Sequence, residues 1–379
     1  MERKNKPGIY VHIPFCVRKC NYCDFLSAPG TDEVIGEYVK ALKTEIRERG
    51  GAINGYEASS LYFGGGTPSA IDPRLIAKIA GEIKDIFHFE KAAECTIEVN
   101  PGTVTYEKLK CYKDAGFNRL SVGIQSADDS ELKLLGRIHR FPDAVKTFDD
   151  ARKAGFTNIS ADVISALPGQ SLEQYESNLK RIIELAPEHI SSYSLIIEEG
   201  TPFYELYGPS GKEKGMLPDE ETDRLMYKRT SEILEEYGYH RYEISNYARA
   251  GFESRHNSSY WTGRDYIGFG LGAASLLNGV RSSGERDLCK YMEDPGKQTV
   301  DEVLDDIAKQ KEFMMLGLRM TRGISKREFS ERFGIAVREV FGAQIDKLIS
   351  EGLITEDDEM IKLTEFGLDV ANVVFGEFV

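Results

Sequence analysis

The chain has 379 residues, with 62 acidic against 48 basic side chains and a formal net charge of −14. A chain of this length can build one large core plus one or two smaller units, and its acidic balance argues against a general nucleic-acid binder, which needs a basic surface. No apolar run is long enough to span a bilayer, the charged start MERKNKPG lacks the apolar stretch of a secretion signal, and six cysteines with three clustered do not make a disulfide framework, so the cytoplasm is the expected compartment.

Residues Gly8–Phe15 alternate in the manner of a strand and run straight into Cys16, Cys20 and Cys23, inside YVHIPFCVRKCNYCDF. Iron–sulfur clusters usually take four thiolates. Three thiolates on one short loop would hold three irons and leave the fourth open to a ligand, by the logic that separates catalytic from structural zinc sites. A zinc site or unrelated buried thiols is the plainer alternative. Zinc loops usually bring a second Cys or His pair, and Cys95, Cys111 and Cys289 are not paired by spacing; they read as buried apolar residues. His12, inside the strand, either lines a site or is a satisfied core histidine.

Further strands are expected at Ser60–Gly64, Glu94–Asn100, Arg119–Gln125, Asn158–Ile164 and His189–Ile196. Helical periodicity fills Val34–Arg49, Asp72–Phe87, Thr105–Ala115, Asp143–Ala154 and Leu172–Leu185, the second opening on Asp72 and Pro73 as N-cap and first helical residue. Strands separated by helices imply an α/β chain with a parallel sheet, and six such units make a partial (β/α)6 TIM-type barrel. DAGFNRLSVGIQS and KAGFTNISADVIS repeat one junction, in which glycine stops a helix before the next strand. Barrels place ligands at the C-terminal ends of their strands. There this chain sets Cys16–Cys23, GGGTP (Gly64–Pro68), Glu98 with NPG, Gln125 and Asp162, a recurrence of polar groups and glycines that packing does not explain.

A charged helix over Glu220–Gly238 leads into a stretch rich in aromatics, Asn, Arg and Gly, expected to form strands and loops against the first domain. Helical patterns at Asp301–Met320, Lys326–Phe333 and Val337–Gly352 precede a hairpin in LITEDDEMIKLTEFG, a winged-helix-like order. The expected division is 1–215 for the partial barrel, 216–299 for a flanking α+β segment and 300–379 for the winged-helix-like domain. That last unit is acidic, which argues against DNA binding.

The Cys-x-x-x-Cys-x-x-Cys spacing of CVRKCNYC, with GGGTP on the next strand, resembles the radical S-adenosylmethionine (SAM) enzymes. A phosphate loop would show a Lys-Ser/Thr pair after its glycines, and none is present. From about Gly8 onward, YVHIPFC, GGGTPS, EVNPGT, SVGIQS, GRIH and ADVISALPGQ resemble the subgroup that contains the oxygen-independent coproporphyrinogen III oxidases (HemN) and the haem chaperones (HemW). The resemblance implies a [4Fe-4S] cluster on Cys16, Cys20 and Cys23. It implies SAM contacts from Tyr10, Tyr22, Gly65, Gly66, Thr67, Glu98, Gln125, Arg137 and Asp162, with Ile196 and Ala274 as main-chain or apolar contacts. The glycines would let the backbone approach the ligand closely. Glu98, Gln125 and Asp162 suit ribose hydroxyls and amines, and Arg137 suits a carboxylate.

Within the subgroup, the oxidases resemble one another in a further cysteine two positions after the triplet, where this chain has Phe25, and in a longer N-terminal segment. RHNSSYW (255–261) and the preceding YEISNYA look instead like the chaperone branch. His256 is the candidate haem ligand, since imidazole is a usual axial ligand, with Tyr260 and Trp261 shaping the pocket. The alternative is a structural hydrogen-bonding corner at His256 and Asn257, with Trp261 as ordinary core. The resemblance thus implies a haem chaperone that holds the cluster and SAM and passes haem to haem-dependent respiratory proteins. Membrane contact would be at most peripheral, no nucleic acid would be bound, and a homodimer is left open. The second reading is a coproporphyrinogen III oxidase, in which SAM cleavage would start decarboxylation of propionate side chains. Cluster and SAM ligands are common to both behaviours.

Overall fold

The structure is a computed structural model that describes residues 6–379; the reading of the charged start falls on residues 1–5, outside that range. Six strands run parallel in sequence order: β1 (Gly8–Ile13), β2 (Glu57–Gly65), β3 (His88–Val99), β4 (Arg119–Gln125), β5 (Ile159–Ser165) and β6 (His189–Ser194). Helices Asp32–Ala52, Pro73–Ile86, Tyr106–Asp114, Phe141–Lys153 and Leu172–Ile183 lie in the crossovers between them. This is the expected partial barrel.

The period of two along each strand decides which side faces what. Ile9, Val11, Leu61, Phe63, Leu120, Val122, Ile159 and Ala161 share one core with Leu42, Ile79, Tyr112 and Leu179 of the covering helices. The alternate positions are Tyr10, Ser60, Tyr62, Glu94, Thr96, Glu98, Arg119, Ser121, Ser160, Asp162 and His189, which therefore point to the other side of the sheet. TIM-type barrels ordinarily fill that interior with Val, Ile and Leu. A polar lumen is costly unless its groups are paired or used.

Local signals act as read. Asp72 caps its helix by accepting from the Arg74 amide at 2.9 Å, with Pro73 following. The two Ala-Gly-Phe junctions put Gly116 and Gly155 at φ +90° and +93°, a left-handed stop that favours glycine.

Residues 240–303 extend the same sheet at both ends. β8 (Asn246–Ala248) adds antiparallel to β6, and β7 (His240–Arg241) adds antiparallel to β8. β9 (Tyr266–Phe269) lies parallel to β1 and is followed by β10 (Ala274–Leu277), β11 (Val280–Gly284) and β12 (Gln298–Val303), giving twelve strands. Two expectations are corrected here. The helix expected over Asp301–Met320 begins only at Asp306, where Asp305 accepts from the Ala308 amide, because residues 298–303 pair with β11. RHNSSYW is a helix, Arg255–Trp261, where strands and loops were expected.

Helices Asp306–Gly317, Lys326–Phe333 and Val337–Ser350 precede the hairpin of β14 (Ile354–Glu356) and β15 (Met360–Leu363); β13 (Ile324–Ser325) completes that small sheet. This winged-helix-like unit has its own core around Phe313, Phe329, Phe341, Ile345 and Ile361. Among the described residues no helix is long and apolar enough to cross a membrane.

Candidate cofactor-binding site

The C-terminal ends of β1 to β5 open into one cleft. Its walls bring together Cys16, Cys20, Tyr22, Cys23, Gly65, Gly66, Thr67, Glu98, Gln125, Arg137 and Asp162. Three expected contacts are not among them. Tyr10 lies on the lumen side of β1, its hydroxyl 3.0 Å from His12 Nδ1 and its ring stacked on Tyr62. Ile196 is past the end of β6 and 68% exposed, and Ala274 opens β10, which β9 separates from β1.

The cysteine loop is pinned from two sides. Asn21 hands its amide to Leu135 O and its side-chain Nδ2 to Leu134 O, while the Cys16 amide bonds Ala28 O at 3.1 Å. Thr67 Oγ1 donates to Cys16 Sγ at 3.4 Å and Arg137 Nη1 to Cys20 Sγ at 3.6 Å. Hydrogen bonds to sulfur are one lever on an iron–sulfur cluster's potential. Asn100 joins these two donors: its Nδ2 donates to Thr67 Oγ1 at 2.8 Å, and its Oδ1 accepts from Arg137 Nη2 at 2.6 Å. The sequence reading singled out the NPG block without giving Asn100 a role.

The glycines have a nearer reason than ligand approach. Gly65 has φ +111°, and a Cβ there would sit 2.5 Å from the His12 ring; one on Gly66 would sit 2.8 Å from Phe15 O. The close approach they permit is that of β1 and its own loop, sealed by Gly66 and Thr67 amides donating to Ile13 O and Phe15 O at 2.8 Å. His12 is accordingly a satisfied core histidine. It is buried, its Nε2 is 2.9 Å from Leu26 O, and burial lowers its pKa.

Two carboxylates with neutral partners face the cleft. Glu98 accepts from Tyr62 OH at 2.8 Å and the Gly65 amide at 3.2 Å; burial, with Asp162 adding to it, pushes its pKa up to about 7. Asp162 accepts from Ser121 Oγ at 3.1 Å, and burial raises it as well. Carboxyls perturbed in this way gather at functional sites. Gln125 ends β4 at φ +70°, beside a register shift at Gly123, a strained conformation costing about 1–3 kcal/mol. The donor set fits the groups implied: three thiols on one loop for a cluster, buried carboxylates for an amine and ribose hydroxyls, and a guanidinium for a carboxylate.

The Arg255–Trp261 helix approaches the sheet at the opposite ends of the strands. Glu94 of β3 receives its Arg255 and His256 amides at 3.0 and 3.1 Å. His256 is 1% exposed, with Nδ1 2.8 Å from Ser60 Oγ, Nε2 2.9 Å from Tyr260 OH, and its ring stacked on Tyr62 at 4.9 Å. Burial, reinforced by Arg119, lowers its pKa to about 3. An axial bond to haem iron needs a free ring nitrogen, and both are engaged. The geometry is a hydrogen-bonded corner of His256 with Ser60 and Tyr260, and Asn257, the partner expected there, instead gives its amide to Ser254 Oγ at 3.3 Å. Tyr260 belongs to the same corner, whereas Trp261 points away from it, with the Arg319 guanidinium 4.3 Å from its ring. The spare cysteines are corrected in part: Cys95 is buried as expected, Cys111 is half-buried, and Cys289 is exposed on the Leu288–Glu293 helix, which buries Tyr291 instead.

Residues 10–182 match the radical SAM superfamily and residues 304–370 the HemN C-terminal domain. The chain is 36% identical to "Heme chaperone HemW" of Bacillus subtilis (strain 168), over 97% of this chain and 98% of that protein. Its identity to the protein of the same name from Escherichia coli (strain K12) is 33%, over 95% and 94%. The "Radical S-adenosyl methionine domain-containing protein 1, mitochondrial" of Danio rerio is also 33% identical, over 95% and 84%. Among solved structures, coproporphyrinogen III oxidase (HemN) from Escherichia coli, described as a radical SAM enzyme, matches with TM-score 0.86 over 99% of this chain and 90% of that one, at 23% identity. That likeness is one of fold.

Proposed function

Since the chain belongs to the HemW family of the radical SAM superfamily, we propose that it is a haem chaperone that carries a [4Fe-4S] cluster, binds SAM and hands haem to haem-dependent respiratory proteins. The observation that carries this is the likeness along the whole chain to proteins named haem chaperones. The HemN likeness supports only the shared fold, and at the cleft mouth the position of the oxidases' extra cysteine is Phe25, which offers no thiol.

Cys16, Cys20 and Cys23 would hold the cluster, whose open iron, when bound, supplies an anchor for SAM. The chain's own residues do the rest. Tyr62 and the Gly65 amide fix the Glu98 carboxyl, Ser121 fixes Asp162, and Asn100 aims the Arg137 guanidinium while holding Thr67 against Cys16. Glu98, Asp162 and Gln125 then orient an amine and hydroxyls, and Arg137 a carboxylate. Cytoplasmic placement, membrane contact through a partner and a homodimer belong to the same proposal.

The test is anaerobic cluster reconstitution of wild type and Cys20→Ala, followed by haem titration of the wild type. Wild type is expected to gain the cluster's visible absorbance and bind haem, and Cys20→Ala to lose the cluster. A wild type that binds no haem above background overturns the chaperone reading.

A further inference from the structure

Two buried histidines stand in the barrel lumen on matching supports. His256 has Nδ1 on Ser60 Oγ and Nε2 on Tyr260 OH, as described above. His189, which opens β6, has Nδ1 2.8 Å from Ser160 Oγ and Nε2 2.8 Å from Tyr242 OH. Of the two, the His189 set leads by hydrogen bonds to a carboxylate of the cofactor cleft. Ser160 pairs with His189 across the sheet, two residues before Asp162 on β5, and its Oγ donates to Asp162 Oδ1 at 3.4 Å. At the other end the Ser254 amide donates to Tyr242 OH at 3.2 Å, so the series starts at the N-cap of the Arg255–Trp261 helix.

The direction of each bond follows from counting protons. A hydroxyl has one, and a neutral imidazole has one N–H. His189 is fully buried; burial, with the Arg119 charge adding to it, pushes its pKa well down, and the ring is neutral. Tyr242 OH accepts from the Ser254 amide, and its own proton has His189 Nε2 as acceptor. Nε2 is then bare, and the ring's proton sits on Nδ1, where it is donated to Ser160 Oγ. That leaves the Ser160 proton for Asp162, so every link points toward the carboxyl. Ser121 Oγ donates to Asp162 from β4 at 3.1 Å. Burial raises the Asp162 pKa, and the hydroxyls of Ser191, Ser121 and Ser160, together with the Arg119 charge, oppose it. Donors aimed at a carboxyl favour its charged form. Its remaining lone pairs are then kept for a ligand's hydroxyl or amine.

We propose that His189 is a positioning residue for SAM: Tyr242, His189 and Ser160 form a one-way series of donors that holds Asp162 as an acceptor for the ligand's hydroxyls or amine. The proposal rests on the SAM-binding reading. It also gives the YEISNYA block, which Tyr242 opens, a task inside the barrel.

Two measurements test it. The ligand-free full chain with isotope-labelled histidine contains six rings, and the one whose nitrogen NMR signals shift in both Ser160→Ala and Tyr242→Phe is His189. It is expected to carry its proton on Nδ1 with Nε2 bare; a ring protonated on Nε2 overturns the direction of the series and the proposal with it. SAM binding is then measured by calorimetry on the cluster-reconstituted full chain. Ser160→Ala and Tyr242→Phe are each expected to weaken it about fivefold. Asp162→Asn should weaken it as well, and adding Ser160→Ala to Asp162→Asn should cost nothing more, because a group that acts through Asp162 then has nothing to act on. Unchanged affinity in both single variants, or a fully additive loss in the double variant, overturns the proposal and leaves SAM binding standing. A wild type that binds no SAM overturns the SAM reading itself.

Discussion

Glu98 is a carboxyl held by a phenol and an amide, with a pKa pushed up to about 7. A raised carboxyl stabilises the fold while protonated. That contribution is complete below the ordinary value of 4.5 and is lost as pH rises through about 7. The shift corresponds to roughly 3 kcal/mol at most. Glu98→Gln cannot ionise, so between about pH 5 and 8 the ligand-free variant should lose less stability than wild type. Urea midpoints across that range check this, and identical slopes for the two proteins would assign the dependence to other groups. His256 acts on the same carboxyl from below, through the ring of Tyr62. His256→Gln should weaken SAM binding several-fold by calorimetry, about 1 kcal/mol, with the haem spectrum retained. Intact SAM binding with a lost haem spectrum would restore His256 as the axial ligand. At this scale the sequence showed which residue types meet at the rim, since Gln125 ends its strand, Glu98 lies one residue before the end of its own, and Asp162 lies within β5. It did not show that His12 and His256 are satisfied, because a histidine's partners (Leu26 O, Ser60, Tyr260) are distant in the chain.

The short helix Arg255–Trp261 is the element that ties the units together. Ser254, fully buried, accepts from the Asn257 amide and donates to Glu94. Ser254→Ala should cost about 1–2 kcal/mol, the usual price of an N-cap, and thermal unfolding reads it; an unchanged midpoint would mean that Glu94 alone anchors the helix. Seven residues span about two turns, too few for a 3.6-residue period to stand out, so the sequence there reads as strands and loops. The misplaced start of the helix at Asp306 has a different cause. The acidic stretch Asp301–Asp306 reads as a first helical turn, while pairing with β11 holds residues 298–303 extended. By contrast β4 has the bounds read from the sequence, Arg119–Gln125, because a glycine stop precedes it and its apolar residues alternate.

Across the whole molecule, one sheet presents an apolar face to its helices and a polar face to its lumen, and the strand ends turn that polarity into a cofactor cleft. The parallel barrel was legible from the alternation of strands and helices. The continuation of the sheet through residues 240–303 was not, because its strands are short and two of them join β1 and β6 from far along the chain. The C-terminal unit, read as winged-helix-like from its helices and hairpin, has its own core around Phe313, Phe329 and Ile361. The central claim is that this fold carries haem and does not oxidise a porphyrinogen. The most direct measurement is anaerobic reconstitution of the full chain with cluster and SAM, then haem binding and coproporphyrinogen III turnover assayed in parallel on the same sample. Haem binding without protoporphyrinogen formation is the predicted result; protoporphyrinogen formation, or failure to bind haem, would contradict it.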